Sequence, residues 1–240
     1  MFNLFNKKPR ENFPFQHLGK DVHSHILPGL DDGAPDYESA ERLINGLQEL
    51  GFSSFTATPH VMCDMFGNTR EKILACHGTF LTAMNAKGRN YPITPAAEYL
   101  VDEQLEQLLK AGEPLLTIYE NRVLIEISFI QPPQQLHEVL FELQLQGYQP
   151  VFAHPERYSF YFKNKNDLKR IYEMGCLFQC NLLSFGGYYG KPIQQFAEWI
   201  ADQGWIRLLG TDLHHERHLE ALRNLPFTNG LQKALKTLQN

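Results

Sequence analysis

From Asp21 onward, short apolar runs alternate with longer amphipathic stretches, and nearly every apolar run ends on a residue able to bind a cation. Together these two patterns constrain the fold more than any other feature of the chain. The alternation predicts an α/β fold, a mostly parallel sheet wrapped by helices. Seven strands are predicted, at residues 21–25, 54–58, 93–97, 123–127, 151–153, 177–181 and 206–210. The first helix is well marked: Asp36 offers an N-cap, Leu43, Ile44, Leu47 and Leu50 share one face, and Gly51 stops it. Further helices are predicted at residues 69–87, 102–111, 134–146, 166–174 and 192–202, and through much of the tail after His218.

In a barrel of parallel strands all C-terminal ends open on one rim, so residues far apart in sequence converge there. The strand-end residues are His23 with His25, His60, Glu98, Glu126, His154, and Asp212 with His214. Only the strand ending at Asn181 lacks an obvious ligand. Scattered surface histidines and carboxylates would hold no such phase with strand ends. A metal-binding rim is therefore expected.

Composition supports one packed unit. Of 240 residues, 43% are hydrophobic, and no Pro/Gly-rich linker divides the chain, so residues 21–240 read as a single domain after an N-terminal extension, 1–20. The balance of 22 Lys+Arg against 27 Asp+Glu, net −5, argues against a broad basic face for nucleic acid. Met1 to Phe5 is too short for a signal-peptide core, and no stretch reaches a membrane span, so a soluble cytoplasmic protein is expected. Phe2, Leu4 and Phe5 are candidates for docking. Four cysteines without CxxC spacing suit a reducing compartment. A cysteine phosphatase loop needs C-x5-R, and Cys63 meets its next arginine only at Arg70, one position too far.

The local motifs sharpen the chemistry. His23 and His25, two apart on a strand, point the same way and can share one ion. An acidic turn, Asp31-Asp32-Gly33, follows, with Asp31 equally suited to capping the turn or binding metal. Glu98 and Glu126 close apolar strands, where a buried charge is costly unless it is paired or bound to metal. His154-Pro-Glu-Arg157 and Asp212-Leu-His214-His215-Glu-Arg217 each add ligand candidates and a guanidinium suited to phosphate. His17, His77, His137 and His218 lie off the strand ends and receive no role; His215 competes with His214, which the DxH spacing favours. Gly186 to Gly190 reads as a mobile rim turn. Tyr188, Tyr189, Phe66, Tyr99, Phe129 and Tyr158 are candidates to flank a substrate ring, or ordinary packing.

These strings, Asp21-Val-His-Ser-His25, Asp31-Asp-Gly33, Thr58-Pro-His60, Ala97-Glu98, His154-Pro-Glu-Arg157 and Thr211-Asp-Leu-His214, resemble the PHP (polymerase and histidinol phosphatase) metallophosphoesterases. Within that superfamily the chain most resembles the bacterial capsule-associated protein-tyrosine phosphatases. The resemblance implies a distorted (β/α)7 TIM-like barrel holding three divalent ions, usually manganese, with iron, zinc or magnesium compatible. It implies that His23, His25, Glu98 and Asp212 bind one metal and that Glu98 bridges to a second on Glu126 and His154. The third would take Asp32, His60 and His214. Three divalent ions against four carboxylates leave about +2 to meet a phosphate dianion, so an acidic protein can bind an anion.

The implied reaction is metal-assisted hydrolysis, with activated water attacking phosphorus in line with the leaving oxygen. Arg157 and Arg217 would stabilise the non-bridging oxygens. His214 is a candidate general acid, although a phenolate with a pKa of about 10 leaves readily without one. The implied substrate is a phosphotyrosine protein, the tail of a bacterial tyrosine kinase governing capsule or exopolysaccharide synthesis. A small-molecule phosphatase acting on an ester such as histidinol phosphate, and a non-catalytic phosphoprotein-binding barrel, are the competing readings.

Overall fold

The computed structural model describes residues 14–238; the N-terminal docking candidates Phe2, Leu4 and Phe5 lie outside the described residues. After a 3-10 turn at Phe15–His17, the chain runs β1 (Lys20–Ser24), α1 (Tyr37–Leu50), β2 (Ser54–Ala57), β3 (His60–Val61), α2 (Arg70–Ala86), β4 (Ile93–Pro95) and β5 (Glu98–Leu100). It continues through α3 (Glu103–Ala111), β6 (Arg122–Glu126), α4 (Leu136–Leu145), β7 (Gln149–Ala153), α5 (Lys165–Glu173) and β8 (Leu177–Asn181). A short α6 (Leu182–Phe185), α7 (Lys191–Asp202), β9 (Ile206–Gly210), α8 (Glu216–Arg223) and α9 (Asn229–Leu238) complete it. This is an α/β fold with parallel strand pairing throughout the two sheets.

Helix ends follow the sequence signals. Asp36 accepts a hydrogen bond from Ser39 N at 2.7 Å, and Gly51, at φ 104°, ends α1 in a conformation costly for any side chain. Asp102 accepts from Gln104 N and Leu105 N at the start of α3. Leu43, Ile44 and Leu47 turn inward from α1 and join the core cluster that contains β2 residues Phe55 and Ala57. The turn at Phe15–His17 is not loose: Phe15 is buried and its ring lies 5.5 Å from that of Phe52.

The strands form two sheets. One has the order β1-β2-β4 and the other β3-β5-β6-β7-β8-β9. The sequence reading of one strand over 93–97 is corrected: pairing stops at Pro95 and resumes at Glu98 in the second sheet. Likewise the second strand ends at Ala57, and His60–Val61 pairs separately with β5. Pro59, which has no N–H to donate, and Pro95 mark the breaks. At the far side, Ser24 and Leu213 form an isolated parallel bridge, with Asp212 N–H donating to His23 O at 2.8 Å and His25 N–H to Leu213 O at 2.9 Å. The exits of β1 and β9 are thus tied together, although the two sheets are not joined as one hydrogen-bonded ring.

Candidate active site

The strand ends deliver their polar residues to one place. His23 and His25, at the exit of β1, are fully buried, as are Asp212 after β9, Glu98 opening β5 and Glu126 closing β6 to within 2%. Irregular register beside Val22 and His23 re-aims this part of β1, as bulges near functional sites commonly do. Gly33 is obligatory here. A Cβ on it would lie 2.1 Å from His25 O and 2.5 Å from His25 Cβ, so only glycine lets the acidic turn fold back on the histidine. His154 and Asp212 adopt positive φ, 35° and 51°, a strained conformation for residues with side chains.

Three groups of donor atoms result, each with its atoms within 4.8 Å of one another: His23, His25, Glu98 and Asp212; His25, Asp32, His60 and His214; and His60, Glu98 and Glu126. His23 Nε2 is 3.2 Å from His25 Nε2 and 3.0 Å from Glu98 Oε2. His154 is not in the third group, but its Nε2 stands 3.0 Å from Glu98 Oε1. The donor set fits divalent metal. His60 Nδ1 and Glu126 Oε1 approach to 2.7 Å, yet both are buried atoms without a hydrogen-bond partner, as is His154 Nδ1. Buried polar atoms are normally satisfied, so the unpartnered His60 Nδ1 and Glu126 Oε1, which share a donor group with Glu98, indicate a common ligand.

A second layer fixes the imidazoles. Asp31 Oδ2 accepts from His25 Nδ1 at 2.7 Å and from His60 N at 3.0 Å, while Oδ1 accepts from Gly33 N. Gln179 Oε1 accepts from His23 Nδ1 at 2.8 Å, and His214 Nδ1 donates to Asp212 O at 2.9 Å. Each of these rings therefore carries its proton on Nδ1 and turns Nε2 inward, the arrangement that orients and enriches metal-binding histidines. Asn181 Nδ2 donates to Asp212 Oδ2 at 2.6 Å, and Gln179 Nε2 donates to Asn181 Oδ1 at 3.0 Å. The strand without a ligand thus supplies the residues that hold two of them.

Electrostatics follow from packing carboxylates among imidazoles in a dry site. Burial opposes charge on His23, but Glu98 and Asp212 overcome it and push its pKa up to about 10. Burial also opposes charge on His60, where the Glu126 and Glu98 carboxylates raise the value to about 10. Conversely, burial would raise Asp212, yet His23, His214, His154 and Arg157 hold it well below the ordinary carboxylate range. Without metal, protonated imidazoles neutralise the carboxylates.

Residues 20–223 match the model of the family described as capsular polysaccharide synthesis, CpsB/CapC. The chain belongs to the CpsB/CapC family. It is 28% identical over 196 residues to the tyrosine-protein phosphatase YwqE of Bacillus subtilis (strain 168), covering 81% of this chain and 77% of that protein. It is 28% identical over 202 residues to the tyrosine-protein phosphatase CpsB of Streptococcus pneumoniae, covering 81% and 82%. A solved structure from work on YwqE and CpsB, described as unique metal-dependent tyrosine phosphatases, matches with a TM-score of 0.77 at 27% identity, over 92% of this chain and 86% of that one.

In this CpsB/CapC chain the donor groups open into a cavity of about 360 Å³, lined among others by Asp32, His60, Glu126, His154, Arg157, Asp212 and His214. Arg157 Nη1 donates to Asp212 Oδ2 at 3.0 Å, and its guanidinium lies over Phe129 and Tyr189, 4.9 and 4.5 Å from their centroids. Arg217 is elsewhere: its exposed side chain lines a groove with Arg42 and Glu49 between α1 and α8. Cys63 is exposed, and Tyr99 is buried with its hydroxyl accepting from Leu116 N. His215 caps α8, accepting from His218 N. His218, given no role from sequence, lines the cavity and accepts from His214 N at 3.3 Å. Gln179 and Asn181 were also missed, yet their spacing of two at a strand end is the same signal as His23 and His25.

Proposed function

We propose that this chain is a metal-dependent protein-tyrosine phosphatase whose site is built from nine residues, eight at strand termini or the loops that adjoin them and Asp32 in the acidic turn, in a barrel-like ring of strands. The observation that carries the reading is that His23, His25, Glu98, Asp212, His60, Glu126, Asp32 and His214 form overlapping donor groups, with His154 beside Glu98, and that six of the nine residues line one cavity with Arg157. His23, His25, Glu98 and Asp212 would hold one ion, Glu98 with Glu126 and His154 a second, and Asp32, His60 and His214 a third. Manganese is the proposed metal; iron, zinc and magnesium are chemically compatible. Divalent ions bound there would lower the pKa of water and offset phosphate charge.

The chain's own residues do the rest. Arg157 spends one of its five N–H donors on Asp212, which leaves others for non-bridging phosphoryl oxygens. Its aromatic neighbours fix the guanidinium plane. A tyrosyl phenolate, with a pKa of about 10, departs without a strong acid. The proposed substrate is a phosphotyrosine protein, such as a tyrosine-kinase tail acting in capsule synthesis, met in the cytoplasm. Among the described residues, no helix is long and apolar enough to cross a membrane. The test compares kcat/KM for a phosphotyrosyl peptide and for histidinol phosphate, using chelator-stripped protein reloaded with Mn, Fe, Zn or Mg. Turnover of the peptide that vanishes with chelator and returns with metal is expected. A preference for histidinol phosphate by orders of magnitude, or no turnover with any metal, overturns the proposal.

A further inference from the structure

We propose that Phe66 and Phe129 are the specificity walls that select aryl over alkyl phosphate esters, an inference that rests on the phosphatase reading and deepens its substrate class. Each ring is stacked on an imidazole of the proposed metal set. Phe66 lies 5.6 Å from His60 at 14°, and Phe129 lies 5.8 Å from His154 at 18°. Those imidazoles approach different oxygens of one carboxylate, His60 Nδ1 at 3.4 Å from Glu98 Oε2 and His154 Nε2 at 3.0 Å from Glu98 Oε1. Both phenyl rings line the same cavity as Arg157. A phosphoryl group held beside Arg157 therefore has aromatic surface flanking the space its ester group must enter.

Neither phenyl ring can hold a metal or move a proton, so their presence on this cavity calls for an apolar ligand surface. An aryl ester places a flat ring one oxygen away from phosphorus; a seryl ester offers a single methylene at that distance. Only the former presents a ring face to the walls. Aromatic contacts prefer offset or edge geometry and add to simple burial, so the ring gains binding that the methylene lacks. Phe129 stays 47% exposed despite its contacts with His154, Arg157 and Tyr158, which leaves apolar surface for a ligand to cover.

Both walls are fixed in advance, which reduces the entropy lost on binding. Met62 and Phe66 exchange main-chain hydrogen bonds of 3.0 and 3.2 Å, and Cys63 N donates to Asp102 Oδ2 at 2.9 Å. Asn68 Nδ2 donates to both Leu30 O and His60 O, tying this loop to the histidine on which Phe66 rests. On the other side, Ile127 N donates to the buried Tyr158 hydroxyl at 3.1 Å, and the Tyr158 ring supports Phe129 at 5.2 Å.

The test uses benzylphosphonate, whose methylene stands in for the ester oxygen and keeps the phenyl ring one atom from phosphorus, and methylphosphonate as non-hydrolysable competitors against the metal-loaded enzyme, so leaving-group reactivity does not enter. The wild-type protein should bind the benzyl compound more tightly. Phe66→Ala and Phe129→Ala should each reduce this benzyl-over-methyl preference in inhibition constants several-fold, and the double variant by about tenfold or more, while Phe129→Tyr restores most of it. Damage to the metal cluster or to Arg157 would weaken both phosphonates alike. A ratio unchanged in the double variant, with folding verified by thermal melting, overturns this inference and leaves the phosphatase reading standing. Failure of the wild-type protein to bind either phosphonate or hydrolyse any phosphomonoester overturns both.

Discussion

Gln179→Leu isolates what the ligand-free strand contributes. The substitution keeps the side chain's approximate volume in a fully buried position but removes the acceptor 2.8 Å from His23 Nδ1 and the donor 3.0 Å from Asn181 Oδ1. His23 then loses the bond that fixes its tautomer and ring plane, and Asn181 becomes free to turn from Asp212. Loss of an outer partner of this kind costs about 10- to 100-fold in metal affinity, or about 1.4 to 2.8 kcal/mol. Separately, leaving the His23 donor and Asn181 acceptor buried and unpaired lowers the stability of the metal-free protein by about 1–3 kcal/mol. The two effects have different readouts. Competition with a metal-sensitive fluorescent chelator reports the first, and urea unfolding of chelator-stripped protein reports the second. Gln179→Glu keeps the acceptor for His23 but loses the donor to Asn181, so it should recover only the part of the metal affinity that runs through His23. If the leucine variant binds metal as tightly as wild type, Gln179 does not orient His23 and the reasoning fails.

Other perturbations test the rest of the cluster. Gly33→Ala forces a methyl group to 2.1 Å from His25 O, so turnover should fall by about two orders of magnitude, as a misplaced reacting geometry does; near-normal kcat would refute the steric account. Arg157→Lys keeps charge but loses the planar fork, and kcat/KM should drop by roughly 100-fold, with a wild-type value counting against phosphate contact. In metal-free protein, His23 and His60 have folded pKa values raised to about 10. Their contribution is fully present below the unfolded value of about 6.5 and is lost as pH rises through about 10. Glu98 and Asp212 are depressed, so their contribution is lost as pH falls below the ordinary carboxylate range. Calorimetry of the stripped protein should therefore show Tm declining from pH 6.5 toward pH 10; a flat profile would exclude the imidazolium–carboxylate cluster.

Strand-end chemistry was legible in the sequence because burial makes it conspicuous. A charged or imidazole group closing an apolar run, as Glu126 does after Val123, Leu124 and Ile125, has few inexpensive explanations. What sequence hid was of two kinds. The strands after the breaks at residues 58–59 and 96–97, β3 and β5, are only two and three residues long, too short to show a period, so the strands predicted over 54–58 and 93–97 stop before them. The assignment of His218 and Arg217 depended on helical phase: His218, Leu219 and Leu222 form the buried face of α8, which turns Arg217 outward. That face could have been read from the spacing of the two leucines, and it separates neighbouring residues by about 100° on the helix.

The two strained ligand residues link the energetics of the fold to the chemistry proposed for it. Of the non-glycine residues with positive φ among those described, Glu120, His154 and Asp212, two sit at the donor cluster. Such conformations cost on the order of 1–3 kcal/mol each and persist only where surroundings over-determine them. They are over-determined here. Asp212 is held by its N–H to His23 O, by Asn181 Nδ2 and by Arg157, while His154 O accepts from Arg157 N and its ring meets Glu98. Arg157 thus clamps both strained residues at once, through its main chain on one and its guanidinium on the other. The same side chain proposed to face phosphate therefore also maintains the ligand geometry, so Arg157→Lys separates these roles better than Arg157→Ala, which would release Asp212 from its cationic partner.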